Sequence, residues 1–313
     1  MFGNQNDLLI LHAHIPKTAG TSVSRVFRKS FDTLHLNHYH PDPNYILDAG
    51  KLATLLEINP WLRSISSHHI RSFPCRVGKK RIAYVAFLRE PTHAFLSFLN
   101  YTRKEYHNLP LETRRWWPEK TPEMSLRELA ASHLSNLDTG GDYSFQTRFF
   151  CPPSVMSCKG LTDNNDYGAN CYEIADLILS RFLLVGIVEE MKKSVALLHA
   201  RLRSVGVVID PRGIRRENRL RLESKIPWLN KSDEIGAKVL ACNQNDGRLY
   251  DKHREALLSD YWRLRLHNAF AVPGADDTGY ETIGDWAIGK HLQTREAEIC
   301  ELDHTVSIQK EPS

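Results

Sequence analysis

The sequence contains no long apolar run. Its most extended one, Phe182 to Val188, falls far short of the roughly 20 residues a membrane-crossing helix needs. The start, MFGNQNDLLILHAHI, has neither the basic opening nor the small-residue cleavage site of a secretory signal, so the cytoplasm is the default expectation. Cysteine is scarce. Six in 313 residues are too few for a disulfide scaffold, and no Cys-x-x-Cys pair suggests zinc. Neither sign of charge dominates: 41 Lys and Arg face 37 Asp and Glu, a net charge of +4. The basic residues form short local clusters without the interleaved aromatics that stack bases, which argues against nucleic acid. A mild positive excess suits a small polyanionic ligand instead. Internal repeats and low-complexity tracts are also missing.

What is present is an ordinary globular composition, 42% hydrophobic and 25% charged. Three strand-then-helix units can be read. Leu8 to Ile15 leads into a helix with Val23, Val26, Phe27 and Phe31 on one face. Ile82 to Leu88 leads, past Pro91, into a helix carrying Phe95, Phe98, Leu99 and Thr102. Phe182 to Val188 precedes a helix with Met191, Val195, Leu198 and Leu202. Near-continuous apolar strands alternating with helices predict an α/β fold with a central parallel sheet flanked by helices. A polar insertion bearing Trp and Pro, about 102 to 143, separates the second and third units and has helix character around Ser125 to Leu137. One domain over 1–271 is expected, followed by a peripheral extension over 272–313 whose end is loose.

The sharpest signal is His14-Ile15-Pro16-Lys17-Thr18-Ala19-Gly20-Thr21-Ser22, directly after a strand and opening a helix. Free N–H groups and the positive end of the helix dipole converge there. Ala19 and Gly20 allow close approach of an anion. Thr21 and Ser22 add hydroxyls and can cap the helix, and Lys17 adds a positive charge. The loop is built for phosphate or sulfate. It is not a Walker A loop, in which lysine follows the second glycine. The plain alternative is an ordinary capped helix with a surface lysine.

This string resembles the 5′-phosphosulfate loop of carbohydrate sulfotransferases of the Golgi type, which use 3′-phosphoadenosine-5′-phosphosulfate (PAPS). The resemblance implies that Thr18, Ala19, Gly20, Thr21 and Ser22 wrap the phosphosulfate and that Lys17 contacts its bridging oxygen. It also implies a P-loop-kinase-like fold, and a Golgi-lumenal location if the chain is a trimmed piece of a longer one. A second motif, Phe87-Leu88-Arg89-Glu90-Pro91 with Ser97 on the next helix, is similar to the family's 3′-phosphate pattern, Leu-Arg-x-Pro-x-x-Arg-x-x-Ser-x-Tyr. Arg89 and Ser97 carry over. The second arginine is replaced by Ala94, and Leu99 stands where the pattern has Tyr.

Weaker likeness extends over roughly residues 8 to 270. Phe145 to Cys151, with Cys158, and Phe182 to Glu190 resemble the heparan sulfate and uronyl 2-O-sulfotransferase branch. Arg212 to Arg221 lies where the family has a basic loop over the nucleotide; the other reading of that run is a solvated helix face. Cys151 and Cys158 are either a local disulfide or, in a cytoplasmic protein, two thiols.

Sulfuryl transfer to a hydroxyl needs a base, and the same branch places a catalytic histidine at the point occupied here by Ser66-Ser67-His68-His69. His68 is preferred and His69 is the close second; surface or capping histidines are the plain alternative. His14, His35, His38 and His40 could line an acceptor cleft, though no ligand spacing marks a metal site and none is required. Arg103, Lys104, Arg114, Arg115, Trp116 and Trp117 are candidates for recognising an anionic sugar chain or simply a surface patch. The expected activity is transfer from PAPS to a carbohydrate hydroxyl. Its rivals are a P-loop phosphotransferase dependent on ATP and magnesium, and a non-catalytic nucleotide- or carbohydrate-binding relative. Sequons at Asn100 and Asn230 are unfavoured as glycan sites, Asn100 because it falls on the helix of the second motif.

Overall fold

The computed structural model describes residues 7–42, 44–115, 117–135, 143–151, 164–211, 228–229 and 232–270. Trp116, Cys158, Arg212 to Arg221, Asn230 and everything from Val272 onward lie outside them.

Six strands form one mostly parallel sheet. They are β1 (Leu8–Ala13), β2 (His35–Asn37), β3 (Ser64–Ser67), β4 (Arg76–Val77), β5 (Lys80–Leu88) and β6 (Leu184–Ile187). β1 is central, pairing parallel with β3 on one side and β5 on the other, with His12 opposite both Ser66 and Val85. β2 extends the sheet beyond β3, and β6 lies parallel beside the last four residues of β5. Only β4 runs antiparallel, folded back on the start of β5.

The three expected strand–helix units are all present. α1 (Gly20–Phe31) buries Val23, Val26, Phe27 and Phe31. α3 (Pro91–Glu105), which follows α2 (Ala49–Ile58), buries Phe95, Leu99 and Thr102. Pro91 opens α3 with its fixed φ, and the Glu90 carboxylate caps it by accepting from Thr92 N and His93 N at 3.2 and 2.7 Å.

The chain then forms α4 (Leu111–Arg114), α5 (Leu126–Ser135), α6 (Phe145–Phe149) and α7 (Asn164–Leu179). It continues through α8 (Met191–Ser204), α9 (Glu234–Ala241) and α10 (Gln244–Phe270). α8 and α10 pack on β6, and α1 packs on β2 and β3.

β3 has the sequence Ser-Ile-Ser-Ser and is buried at every position. Hydroxyls survive there because histidines answer them. His35 Nδ1 lies 2.8 Å from Ser64 Oγ, His12 Nδ1 3.0 Å from Ser66 Oγ, and His38 Nδ1 3.3 Å from Ser67 Oγ. Buried polar groups satisfied in this way cost the strand little.

The insertion after α3 contributes to a second, smaller core. Trp117 is buried and stacks on His133 at 4.8 Å, within a cluster containing Phe95, Leu99, Met124 and Leu129. Arg103 is likewise spent internally, donating to Asn100 Oδ1 at 2.9 Å and the Met124 carbonyl at 3.3 Å. Asn100 is itself buried.

Candidate active site

β1 ends at Ala13 and the chain turns through residues 14–19 before α1 begins. Two non-glycine residues in this turn adopt left-handed backbone, Lys17 at φ 65° and Ala19 at φ 63°. Such conformations cost on the order of 1 kcal/mol or more each and persist only where the surroundings enforce them. The enforcement is visible. Thr18 Oγ1 donates to the Ile15 carbonyl at 2.9 Å, and the Ala19 carbonyl accepts from Ser22 N at 2.9 Å and Val23 N at 3.2 Å. A methyl group on Gly20 would overlap the His14 imidazole, so that position admits only glycine without a shift.

The expectation that Thr21 or Ser22 caps the helix is not met. Ala19 occupies the cap position and makes no side-chain capping bond. Thr21 and Ser22 lie inside the first turn, where the Ser22 and Val23 N–H groups are already taken by the Ala19 carbonyl.

Arg89 follows the last residue of β5, the parallel neighbour of β1. Its guanidinium crosses to the first loop, where Nη1 donates to the Lys17 carbonyl at 3.1 Å. Arg89 Nε is buried without a hydrogen-bond partner among the described residues. Lys17 Nζ lies 4.1 Å from the centroid of the Tyr101 ring. Burial, then the nearby Arg89 charge, pulls the Lys17 ammonium below its ordinary range. Ser97 is buried in the second turn of α3, four residues before Tyr101 and therefore on the same helix face. Ala94, where the resembled pattern has an arginine, is fully buried core.

The two candidate histidines differ in kind. His69 is buried with both ring nitrogens engaged: Nδ1 lies 3.0 Å from the Tyr45 carbonyl, and His40 N donates to Nε2 at 3.3 Å. It fastens the 38–47 loop to the end of β3. His68 Nδ1 lies 2.5 Å from the His14 carbonyl, which can only accept, so Nδ1 carries the proton and Nε2 keeps its lone pair. Burial, with smaller effects from His69, Arg71 and Lys17, holds His68 below the usual histidine range despite the opposing bond to His14. The His68 ring lies 3.9 Å from that of His14, which stacks in turn on His12 at 5.4 Å. Burial drives His12 down to about 3 and His14 to about 2.

Of the other histidines, His35 is spent on Ser64, Ser24 and Asn37, and His38 on Ser67. Among the described residues no group of three or more His, Cys, Asp or Glu is placed to hold a metal. None of the described helices is long and apolar enough to cross a membrane.

The sequence did not single out Gln146, on α6. Its carboxamide is buried and clamps Arg89, with Oε1 accepting from Arg89 N and Nε2 donating to Arg89 O, each at 2.9 Å. Asp246 holds that segment from α10, accepting from Gln146 N at 3.1 Å and Thr147 N at 2.7 Å. Cys151 is buried nearby, its Sγ 3.5 Å from the Cys171 carbonyl; its expected partner Cys158 is outside the described residues.

No family model matches the chain, and no curated protein matches its sequence.

Proposed function

We propose that the protein is a sulfotransferase that moves the sulfuryl group of PAPS onto a hydroxyl of a carbohydrate acceptor. The observation that carries this reading is the junction of the two anion motifs. They are 72 residues apart, yet Arg89 Nη1 bonds the Lys17 carbonyl at the carboxyl ends of adjacent parallel strands. Open α/β sheets bind ligands at that edge. A mostly parallel sheet with an anion loop between its first strand and first helix is what the P-loop-kinase-like sulfotransferase fold requires.

The residues present fit such a donor. A 5′-phosphosulfate would meet the positive end of α1, whose cap residue Ala19 supplies no side-chain acceptor, at a left-handed turn beside the charge of Lys17. The buried, unpartnered Arg89 Nε is a cationic donor that a 3′-phosphate would satisfy, with Ser97 on the facing helix surface. PAPS supplies an activated sulfuryl group, transferred by in-line displacement. His68 Nε2 takes the proton of the acceptor hydroxyl, and Lys17 offsets the charge on the departing 3′,5′-adenosine bisphosphate. The hydrogen bonding favours His68 over His69 as base, since His69 has no nitrogen left to offer. The likeness to the 2-O-sulfotransferase branch points to an acceptor rich in uronic acid.

The test is transfer of labelled sulfate from PAPS to a panel of glycosaminoglycans. Wild type is expected to label at least one, and His68→Ala to lose about 10²- to 10⁴-fold in rate while still binding donor. Unchanged transfer by His68→Ala, or magnesium-dependent phosphorylation from ATP in place of sulfation, would contradict the proposal.

A further inference from the structure

Arg89 occupies the first position beyond β5, where the sheet can no longer satisfy its backbone. The register with β1 ends at Ala86 and that with β6 at Leu88. Gln146 fills this gap with a planar group that donates and accepts in one plane, as a strand residue would. The amide is fixed in turn, because Gln146 is 1% exposed and Asp246 holds its backbone N–H. The chain of contacts runs from Asp246 on α10, through Gln146 on α6, to the backbone of Arg89 and so to its guanidinium.

We infer that Gln146 is a positioning residue that sets selectivity for a 3′-phosphorylated nucleotide, by fixing the backbone from which the Arg89 guanidinium is aimed. This inference rests on the donor reading above and deepens it. The guanidinium is constrained at one end by Lys17 O and leaves a buried Nε to be met by ligand. Small rotations of the Arg89 backbone would move Nε by the margin that separates a hydrogen bond from none, since such bonds weaken steeply with angle. Gln146 has no need to touch the nucleotide itself. Its replacement should therefore act mainly on recognition of the 3′-phosphate, since the 5′ loop keeps its own bonds from Thr18 to Ile15 O and from Ser22 and Val23 to Ala19 O. Glutamate keeps the size and one acceptor but loses the donor to Arg89 O. Leucine loses both.

The experiment compares 3′,5′-adenosine bisphosphate with adenosine 5′-phosphate by calorimetry in wild type, Gln146→Glu, Gln146→Leu, Arg89→Ala and the double variant Gln146→Leu/Arg89→Ala. Both Gln146 variants are expected to lose about tenfold or more of the preference for the bisphosphate, with adenosine 5′-phosphate binding changed by less than about twofold. The double variant is expected to lose no more than Arg89→Ala, since the two residues act as one unit. Folded Gln146 variants that retain the preference, or additive losses in the double variant, would overturn the inference. A wild type with no preference would instead overturn the donor reading beneath it. Should the Gln146 variants not fold, side-chain NMR of wild type decides. The bisphosphate must shift both the Arg89 Nε–H and Gln146 carboxamide signals while adenosine 5′-phosphate shifts neither; a silent Gln146 amide would be the contrary result.

Discussion

His68 and His69 are adjacent, and only their backbone partners separate them. His68 gives its proton to the His14 carbonyl and keeps a free lone pair; His69 spends both nitrogens tying loop to strand. No local pattern could have made that distinction, because each partner lies 24 to 54 residues away. Burial lowers His68 from the ordinary histidine value of 6.5, so the proposed base would stay competent into mild acid. The acid limb of kcat/KM should therefore fall below pH 6.5, measured across pH 4.5 to 8 with donor saturating.

His12 tests the same physics through stability. Its folded value, about 3, lies under the ordinary histidine value of 6.5, so below pH 6.5 the unfolded chain binds the proton and the fold does not. Stability is whole above that value and is lost progressively as the pH falls toward the folded one. At pH 5 the loss from His12 is about 2 kcal/mol. Denaturant titrations at pH 7 and 5 should show a decline that His12→Gln reduces by about that amount.

Among the elements, the apolar strands β1, β5 and β6 were legible because their sequences are nearly continuous in aliphatic and aromatic residues, and their helices because of periodic stripes such as Val23, Val26, Phe27 and Phe31. β3 was not. Ser64, Ser66 and Ser67 make no apolar run, and only the histidines from the flanking strands and the loop after β2 satisfy them within the sheet. Ser66→Ala strips His12 of its partner in a fully buried site. It should cost about 1–3 kcal/mol in denaturant unfolding, and a smaller loss would mean that the ladder is incidental. β6 offers a second check. A methyl group on Gly186 would meet the Phe87 ring, so Gly186→Ala should destabilise by roughly 1–3 kcal/mol through overpacking. In the Trp-bearing insertion, the burial of Trp117 and the internal bonding of Arg103 were not legible. Its aromatics are flanked by arginines and prolines that read as surface, whereas Trp117 is buried against His133 and Arg103 is consumed by Asn100 and Met124 O.

At the scale of the molecule, the two proposed anion motifs, each readable in the sequence, meet because β1 and β5 are sheet neighbours. The adjacency itself was not readable, nor was the Gln146–Asp246 brace that ties it to α6 and α10. Arg89 is the pivot of the proposed site, bonding the loop that carries Lys17 and holding a buried Nε with no partner among the described residues. Lys17→Ala should accordingly reduce transfer by about 10²- to 10³-fold, with a smaller effect on binding of the bisphosphate product, because its charge counts most as the leaving group departs. Equal loss in both would assign Lys17 to ground-state binding.

The central claim is that this edge of the sheet recognises an adenine nucleotide phosphorylated at both ends. It is tested most directly by calorimetry of 3′,5′-adenosine bisphosphate with wild type and Arg89→Ala, using ATP as the control ligand. The account requires tight binding to wild type, a loss of about tenfold or more in Arg89→Ala, and far weaker binding of ATP. Equal affinity for ATP and the bisphosphate, or binding indifferent to Arg89, would contradict it.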